Sequence, residues 1–194
     1  IIYEIISNFV NQGYKNLYVT LNYKADLIKS YLAQFSNFKI NYITENKAMG
    51  TCGSLNNKSL FKYKNILVTN CDTFLKTNTE DLLSDHLSFK NDLTVVTSVK
   101  KHTFDYGVCE LDQNGGLIKI NEKPKFDFLI NTGVYLINTK ILTMIKKNQK
   151  FDMDQFINLL TKNKKNISTS TVSIKDFIDI GQWKFYSNYL KNNK

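Results

Sequence analysis

NILVTNCDTFLKTNTEDLLSDHLSFKNDLTVVTSV, residues 65–99, decides the fold class. Asn65–Asn70 is a continuous apolar run, which predicts a strand buried on both faces. Leu93–Val99 has the same character. Between them, Thr79–Lys90 carries Leu82, Leu83 and Leu87 at helical spacing, with Thr79 as the expected N-cap. A buried strand, a helix and another buried strand form the repeating unit of an α/β domain.

Working outward, the same alternation continues upstream. Ile1–Val10 puts Ile2, Ile5, Ile6 and Phe9 on one helical face, and Gly13 follows as a stop signal. Asn16–Leu21 and Phe38–Ile43 read as strands, with a helix at Ala25–Phe35 between them. Leu55–Phe61 is a short helix at most. Downstream the pattern changes. Tyr106–Leu111, Leu117–Asn121 and Leu129–Ile137 are strands with little between them, and Gln113–Gly116 turns the first pair into a hairpin. Thr139–Lys147 and Met153–Lys162 read as helices, Ile167–Ser173 and Phe177–Ile180 as strands, and 182–190 as a closing helix. This order predicts a three-layer, Rossmann-like α/β domain with a mixed central sheet and a small inserted β region. With a single Pro and eight Gly, the chain shows no linker, so one domain over 1–194 is expected.

Composition limits the function classes. No apolar run approaches the roughly 20 residues that span a bilayer, and no secretory pattern opens the chain. Cys52, Cys71 and Cys109 show no metal spacing, which suits reduced thiols in a cytoplasmic protein. The net charge is +9, yet every basic residue is Lys. Base-edge and bidentate phosphate recognition lean on Arg, so a nucleic-acid partner is not expected. A positive domain suits phosphorylated small molecules better.

In open α/β sheets, ligands collect at the carboxyl ends of strands. Gly50-Thr51-Cys52-Gly53 leaves a strand and allows close backbone approach to a ligand, although a plain βα turn uses the same residues. Asp72 ends the strand at 65–70, and Asp179 follows another apolar run. Two carboxylates from distant segments suit one Mg²⁺, which takes one or two protein carboxylates and fills its shell with phosphate oxygens and water. A capping or turn role remains open for each. Lys123, beside Glu122 and before Pro124, offers a point charge to a phosphate or makes a surface ion pair. Asn131, read as a buried amide, needs a ligand hydroxyl or a backbone group as partner. Tyr106-Gly107 marks a close approach or a bend. His86 and His102 are expected at the surface and Trp183 in the core.

Taken in order, ENKAMGTCG (45–53), VTNCDTF (68–74), YGVCELDQNGGLIKINEKP (106–124), INTGVYLIN (130–138) and FIDIGQW (177–183) resemble the sugar-1-phosphate nucleotidyltransferases, with the wording nearest the GDP-sugar branch. The resemblance implies Mg²⁺-dependent attack of a sugar 1-phosphate on the α-phosphorus of an NTP, GTP by preference, giving NDP-sugar and pyrophosphate. It implies that Asp72 and Asp179 hold the metal and that Gly50, Thr51 and Gly53 line the nucleotide. It places Tyr106, Gly107, Glu122, Asn131 and Thr132 at the sugar and Lys123 at its phosphate. The family's first strand and Gly-rich, Arg-containing phosphate loop are expected upstream of Ile1. Two other readings stay open. One is a non-catalytic relative that senses a nucleotide sugar. The other is a glycosyltransferase, which usually carries an Asp-x-Asp motif that residues 71–74 do not supply. Homo-oligomerisation is open, with the closing helix available as an interface.

Overall fold

A computed structural model describes residues 1–180 except 36 and 58. The expected closing helix at 182–190 and Trp183 lie outside the described residues. Four α-helices occur among them: α1 (Ile2–Asn11), α2 (Ala25–Leu32), α3 (Thr79–Ser88) and α4 (Met153–Lys162). Ten strands accompany them: β1 (Leu17–Leu21), β2 (Ile40–Thr44), β3 (Asn65–Thr69), β4 (Thr73–Leu75), β5 (Leu93–Thr103), β6 (Val108–Leu111), β7 (Leu117–Asn121), β8 (Lys125–Asn138), β9 (Ile167–Val172) and β10 (Phe177–Asp179).

The central sheet has the order β3-β8-β5-β9 and is mixed: β3 and β5 run antiparallel to β8, and β5 runs parallel to β9. Alternation along its strands builds three layers. Val95, Tyr135 and Ile137 pack with Phe156 and Leu160 of α4 on one face. Val96, Val134 and Leu136 pack with Leu82 of α3 on the other. Side chains of neighbouring strand residues point to opposite faces, so both faces of this sheet are covered. Each fully buried Leu, Val or Phe contributes about 1.5–3 kcal/mol of apolar transfer.

Residues 93–98 are buried as the sequence predicts, but β3 is half-buried along its whole length. The reason is its position at the edge of the sheet. β1 and β2 form a separate parallel pair, so among the described residues β1 also has an unpaired edge. Leu17–Thr20 and Asn65–Thr69 line one cavity of about 660 Å³ without a gap in either run, so both strands meet it edge-on. Ile2, Ile5, Ile6 and Phe9 of α1 line it as well. At the amino ends, Lys62 bridges the two edges: its Nζ lies 5.8 Å from the Tyr18 ring and 5.1 Å from the Tyr63 ring.

Other expectations are corrected by packing. Asn78, not Thr79, caps α3 by accepting from Glu80 N–H. Thr79 is buried and both its N–H and hydroxyl donate to Gln12 Oε1. His86 is 1% exposed rather than on the surface. Its ring lies 2.8 Å from Thr94 Oγ1 and 3.3 Å from Asn65 Oδ1, so α3 is fastened to β5 and β3 by a neutral imidazole. Thr139–Met144 is a 3₁₀ segment, and β4 is too short for its alternation to show in the sequence. His102 is exposed as expected, its ring edge-on to Phe104. No described helix is long and apolar enough to cross a membrane.

Candidate active site

The carboxyl ends of β2 and β3 carry the polar rim of the cavity, where Glu45, Gly50, Thr51, Ser54, Asn70 and Cys71 line it. Asp72 follows directly. β10 pairs antiparallel with β4, so Asp179 stands opposite Thr73, and Ile180 N–H donates to the Asp72 carbonyl at 2.8 Å. Strand pairing thus brings together the backbones of Asp72 and Asp179, which are 107 positions apart in the chain. Both aspartates are half-buried. Two hard oxygen donors at a strand end fit Mg²⁺, whose shell is normally completed by water and phosphate. The described residues hold no group of three or more His, Cys, Asp or Glu suited to a metal. A cation here would rest on these two carboxylates and on substrate oxygens.

A bulge next to this ladder explains Asn131-Thr132-Gly133. Val96 pairs with Val134 but Thr97 pairs with Asn131, so β8 carries two extra residues. Gly133 sits at φ +80°, and a Cβ there would meet Asn70 Nδ2 at 2.5 Å. Asn70 N–H donates back to the Gly133 carbonyl at 3.0 Å. The bulge therefore clamps the end of β3 just before Asp72. Asn131 is exposed rather than buried. Its Nδ2 donates to the Tyr135 hydroxyl at 2.6 Å and its Oδ1 accepts from Gly133 N–H at 2.9 Å. Thr132 is 3% exposed, and its hydroxyl donates to the Val96 carbonyl at 2.8 Å. Its side chain holds the bulge and does not face the cavity. Burial pushes the Tyr135 phenol up, with the Asn131 hydrogen bond acting the other way.

The glycines at 50 and 53 answer to a second close approach. Gly50 has φ +77°, and a Cβ would meet Asp152 Oδ1 at 2.5 Å and the Phe151 carbonyl oxygen at 2.6 Å. A Cβ on Gly53 would meet the Gln149 carbonyl oxygen at 2.9 Å. The glycine pair is thus required by the 149–152 backbone packed behind the loop. Glu45 organises the loop from the other side: its carboxylate accepts from Met49 N–H at 3.0 Å and from the Ser54 hydroxyl. In the sequence Glu45 shows only as the first residue of the 45–53 motif; its hold on Met49 and Ser54 appears only once the loop folds back over it.

Tyr106, Gly107, Glu122 and Lys123 form a separate cluster. A Cβ on Gly107 would meet Glu122 Oε2 at 3.0 Å, so that carboxylate lies over the glycine. Tyr106 is 81% exposed, Lys123 is exposed, and Lys123 holds φ +44° before Pro124. Strand pairing sets Asn131 opposite Thr97 and Lys125 opposite Thr103. Six residues of strand put this cluster about 20 Å along the β5–β8 ribbon from the bulge. The predicted residues therefore fall into separate places: Gly50 and Thr51 on the cavity, Asp72, Asp179 and the Asn131 bulge around the end of β3, and Gly107 with Glu122 and Lys123 at the hairpin end.

The Nucleotidyl transferase family model matches residues 1–193. The chain is 30% identical over 186 residues to the D-glycero-alpha-D-manno-heptose 1-phosphate guanylyltransferase of Campylobacter jejuni, covering 94% of this chain and 80% of that protein. It is 29% identical to the protein of the same name from Aneurinibacillus thermoaerophilus, over 88% of this chain and 74% of that one. Among solved structures, HddC from Yersinia pseudotuberculosis superposes with a TM-score of 0.76 at 25% identity, covering 99% of this chain and 84% of that one.

Proposed function

The chain belongs to the nucleotidyl transferase family, and on that premise we propose that it joins a nucleoside triphosphate to a sugar 1-phosphate, giving an NDP-sugar and pyrophosphate. One oxygen of the sugar phosphate attacks the α-phosphorus in line. The new P–O bond forms as the bond from the α-phosphorus to the bridging α–β oxygen breaks, and that oxygen leaves with the pyrophosphate. GTP is the proposed donor and a heptose or mannose 1-phosphate the proposed acceptor, in keeping with the names of the relatives.

The observation that carries the reading is the strand pairing that brings the backbones of Asp72 and Asp179 side by side, with Ile180 N–H on the Asp72 carbonyl, directly after Asn70 and Cys71 of the cavity rim. When bound there, Mg²⁺ supplies charge neutralisation at the phosphates and polarises the α-phosphoryl group. The 50–53 loop lies against the nucleotide. Gly107 and Glu122 meet the sugar hydroxyls, Lys123 meets the sugar phosphate, and Asn131 faces the acceptor from the bulge. Thr132 keeps the bulge in shape. Phosphoryl transfer of this kind needs alignment and charge neutralisation more than a side-chain base. A matrix of nucleoside triphosphates against sugar 1-phosphates, read by pyrophosphate release from the full-length protein, tests this. Release with GTP and a heptose or mannose 1-phosphate supports the reading. Binding of NDP-sugar without turnover of any pair favours the regulatory alternative, and transfer of sugar to an acceptor favours the glycosyltransferase.

A further inference from the structure

The segment that leads into α4 packs behind the 50–53 loop. Thr51 N–H donates to Asp152 Oδ1 at 3.0 Å, and Thr51 Oγ1 accepts from Met153 N–H at 2.8 Å. Cys52 N–H donates to the Phe151 carbonyl at 3.1 Å, and Phe151 N–H donates to the Met49 carbonyl at 2.9 Å. Four hydrogen bonds thus lace residues 49–52 to 151–153. Asp152 is also the N-cap of α4: its side chain accepts from the Gln155 N–H, and its own N–H donates to Gln155 Oε1 at 3.1 Å. One carboxylate ends a helix and holds the loop at the same time. α4 is anchored by Phe156 and Leu160, both fully buried in the core.

We propose that Asp152 is a positioning residue for nucleotide binding, transmitting the rigidity of α4 to the Gly50–Gly53 loop through Thr51. The inference rests on the loop's place at the nucleotide in the proposed function. A loop held by an exposed glycine turn alone would sample several conformations, and a nucleotide would have to select one. The Asp152 bridge selects it beforehand. Half of Asp152's work is ordinary capping, so a loss of stability on its own would not identify the other half. The two roles separate by reach. A serine at 152 caps a helix well, but its hydroxyl is one bond shorter than the carboxylate and leaves the exposed Thr51 N–H to water, which does not tie the loop to α4.

The test is GTP binding by calorimetry with Mg²⁺ present, on full-length wild type, Asp152→Ser, Asp152→Asn and Gln155→Ala, with thermal unfolding measured alongside. Asp152→Ser lowers the melting temperature no more than Gln155→Ala does and weakens GTP about tenfold, the effect of a loop that holds its binding conformation about one time in ten. Asp152→Asn retains an acceptor oxygen and binds GTP close to wild type. Gln155→Ala loosens the capping box, lowers the melting temperature and leaves GTP affinity unchanged. Under turnover, Asp152→Ser raises the KM for GTP while the KM for the sugar phosphate stays put. Wild-type GTP affinity in Asp152→Ser overturns the inference while leaving the proposed function standing. A wild-type protein that binds no nucleoside triphosphate overturns both.

Discussion

Replacing Gly50 with Ala strikes the point where the loop and the α4 segment press together. Two costs add. The left-handed φ of +77° costs an L-residue about 1–2 kcal/mol. The new Cβ falls 2.5 Å from Asp152 Oδ1 and 2.6 Å from the Phe151 carbonyl oxygen, and the second is backbone that cannot swing aside. Overpacking of this kind costs a further 1–3 kcal/mol or so. The sum, about 2–5 kcal/mol, lowers the melting temperature by roughly 4–20 °C for a domain of this size. Gly115→Ala is the internal control: φ is +85° but nothing lies within 4 Å of the added Cβ. It carries the conformational cost alone, about 1–2 kcal/mol. Thermal unfolding followed by circular dichroism, with GTP titration of both variants, reads the difference. Gly50→Ala should melt several degrees below Gly115→Ala and bind GTP more weakly. Equal melting temperatures would refute the close approach as drawn.

Gly133→Ala drives a Cβ into Asn70 Nδ2 and should displace the start of the Asp72 segment, cutting kcat more than Gly115→Ala does; equal kcat values in steady-state assays would contradict this. Lys123→Met should raise the KM for the sugar 1-phosphate about tenfold while leaving the KM for GTP alone, since it removes one charged phosphate contact. Burial pushes the His86 imidazole below its ordinary 6.5, with the Asp92 charge acting the other way. The folded state therefore takes up a proton less readily than the unfolded chain. Stability should fall as pH drops below about 6.5 and level off once the folded-state pKa is passed. Urea midpoints at pH 7 and pH 5 should differ less in His86→Gln than in wild type.

Much of the architecture is written in local pattern. Val95, Val96, Val134 and Leu136 alternate between two faces, and α4 begins and ends where its apolar spacing does. What the sequence hid depends on partners far away in the chain. The apolar run at 65–69 reads as buried on both faces, but burial also requires a neighbour at each edge, and among the described residues β3 has one only at β8. His86 looks like a solvated helix residue until Thr94 and Asn65 are seen to close around its ring. Thr79 looks like a cap until Gln12 claims it. At the candidate site, Asp72 and Asp179 read as carboxylates after apolar strands, yet the approach of their backbones is set by the β4–β10 ladder, and β4 leaves no signal in three residues. Gly50 and Gly53 stood out as glycines facing a ligand; the structure shows the backbone of 149–152 pressing on them from behind. Asp152 carried no signal beyond a helix start, because its second partner is 101 residues distant.

The account turns on Asp72 and Asp179 sharing one divalent cation. The direct measurement is the Mg²⁺-dependent rate of pyrophosphate release by Asp72→Asn, Asp179→Asn and the double variant. Each single change should lower kcat at least about a hundredfold, the scale of losing a positioned electrostatic element. The double variant should fall little further, because residues acting as a unit are not additive. A wild-type rate in either single variant, or losses that multiply in the double, would contradict a shared site.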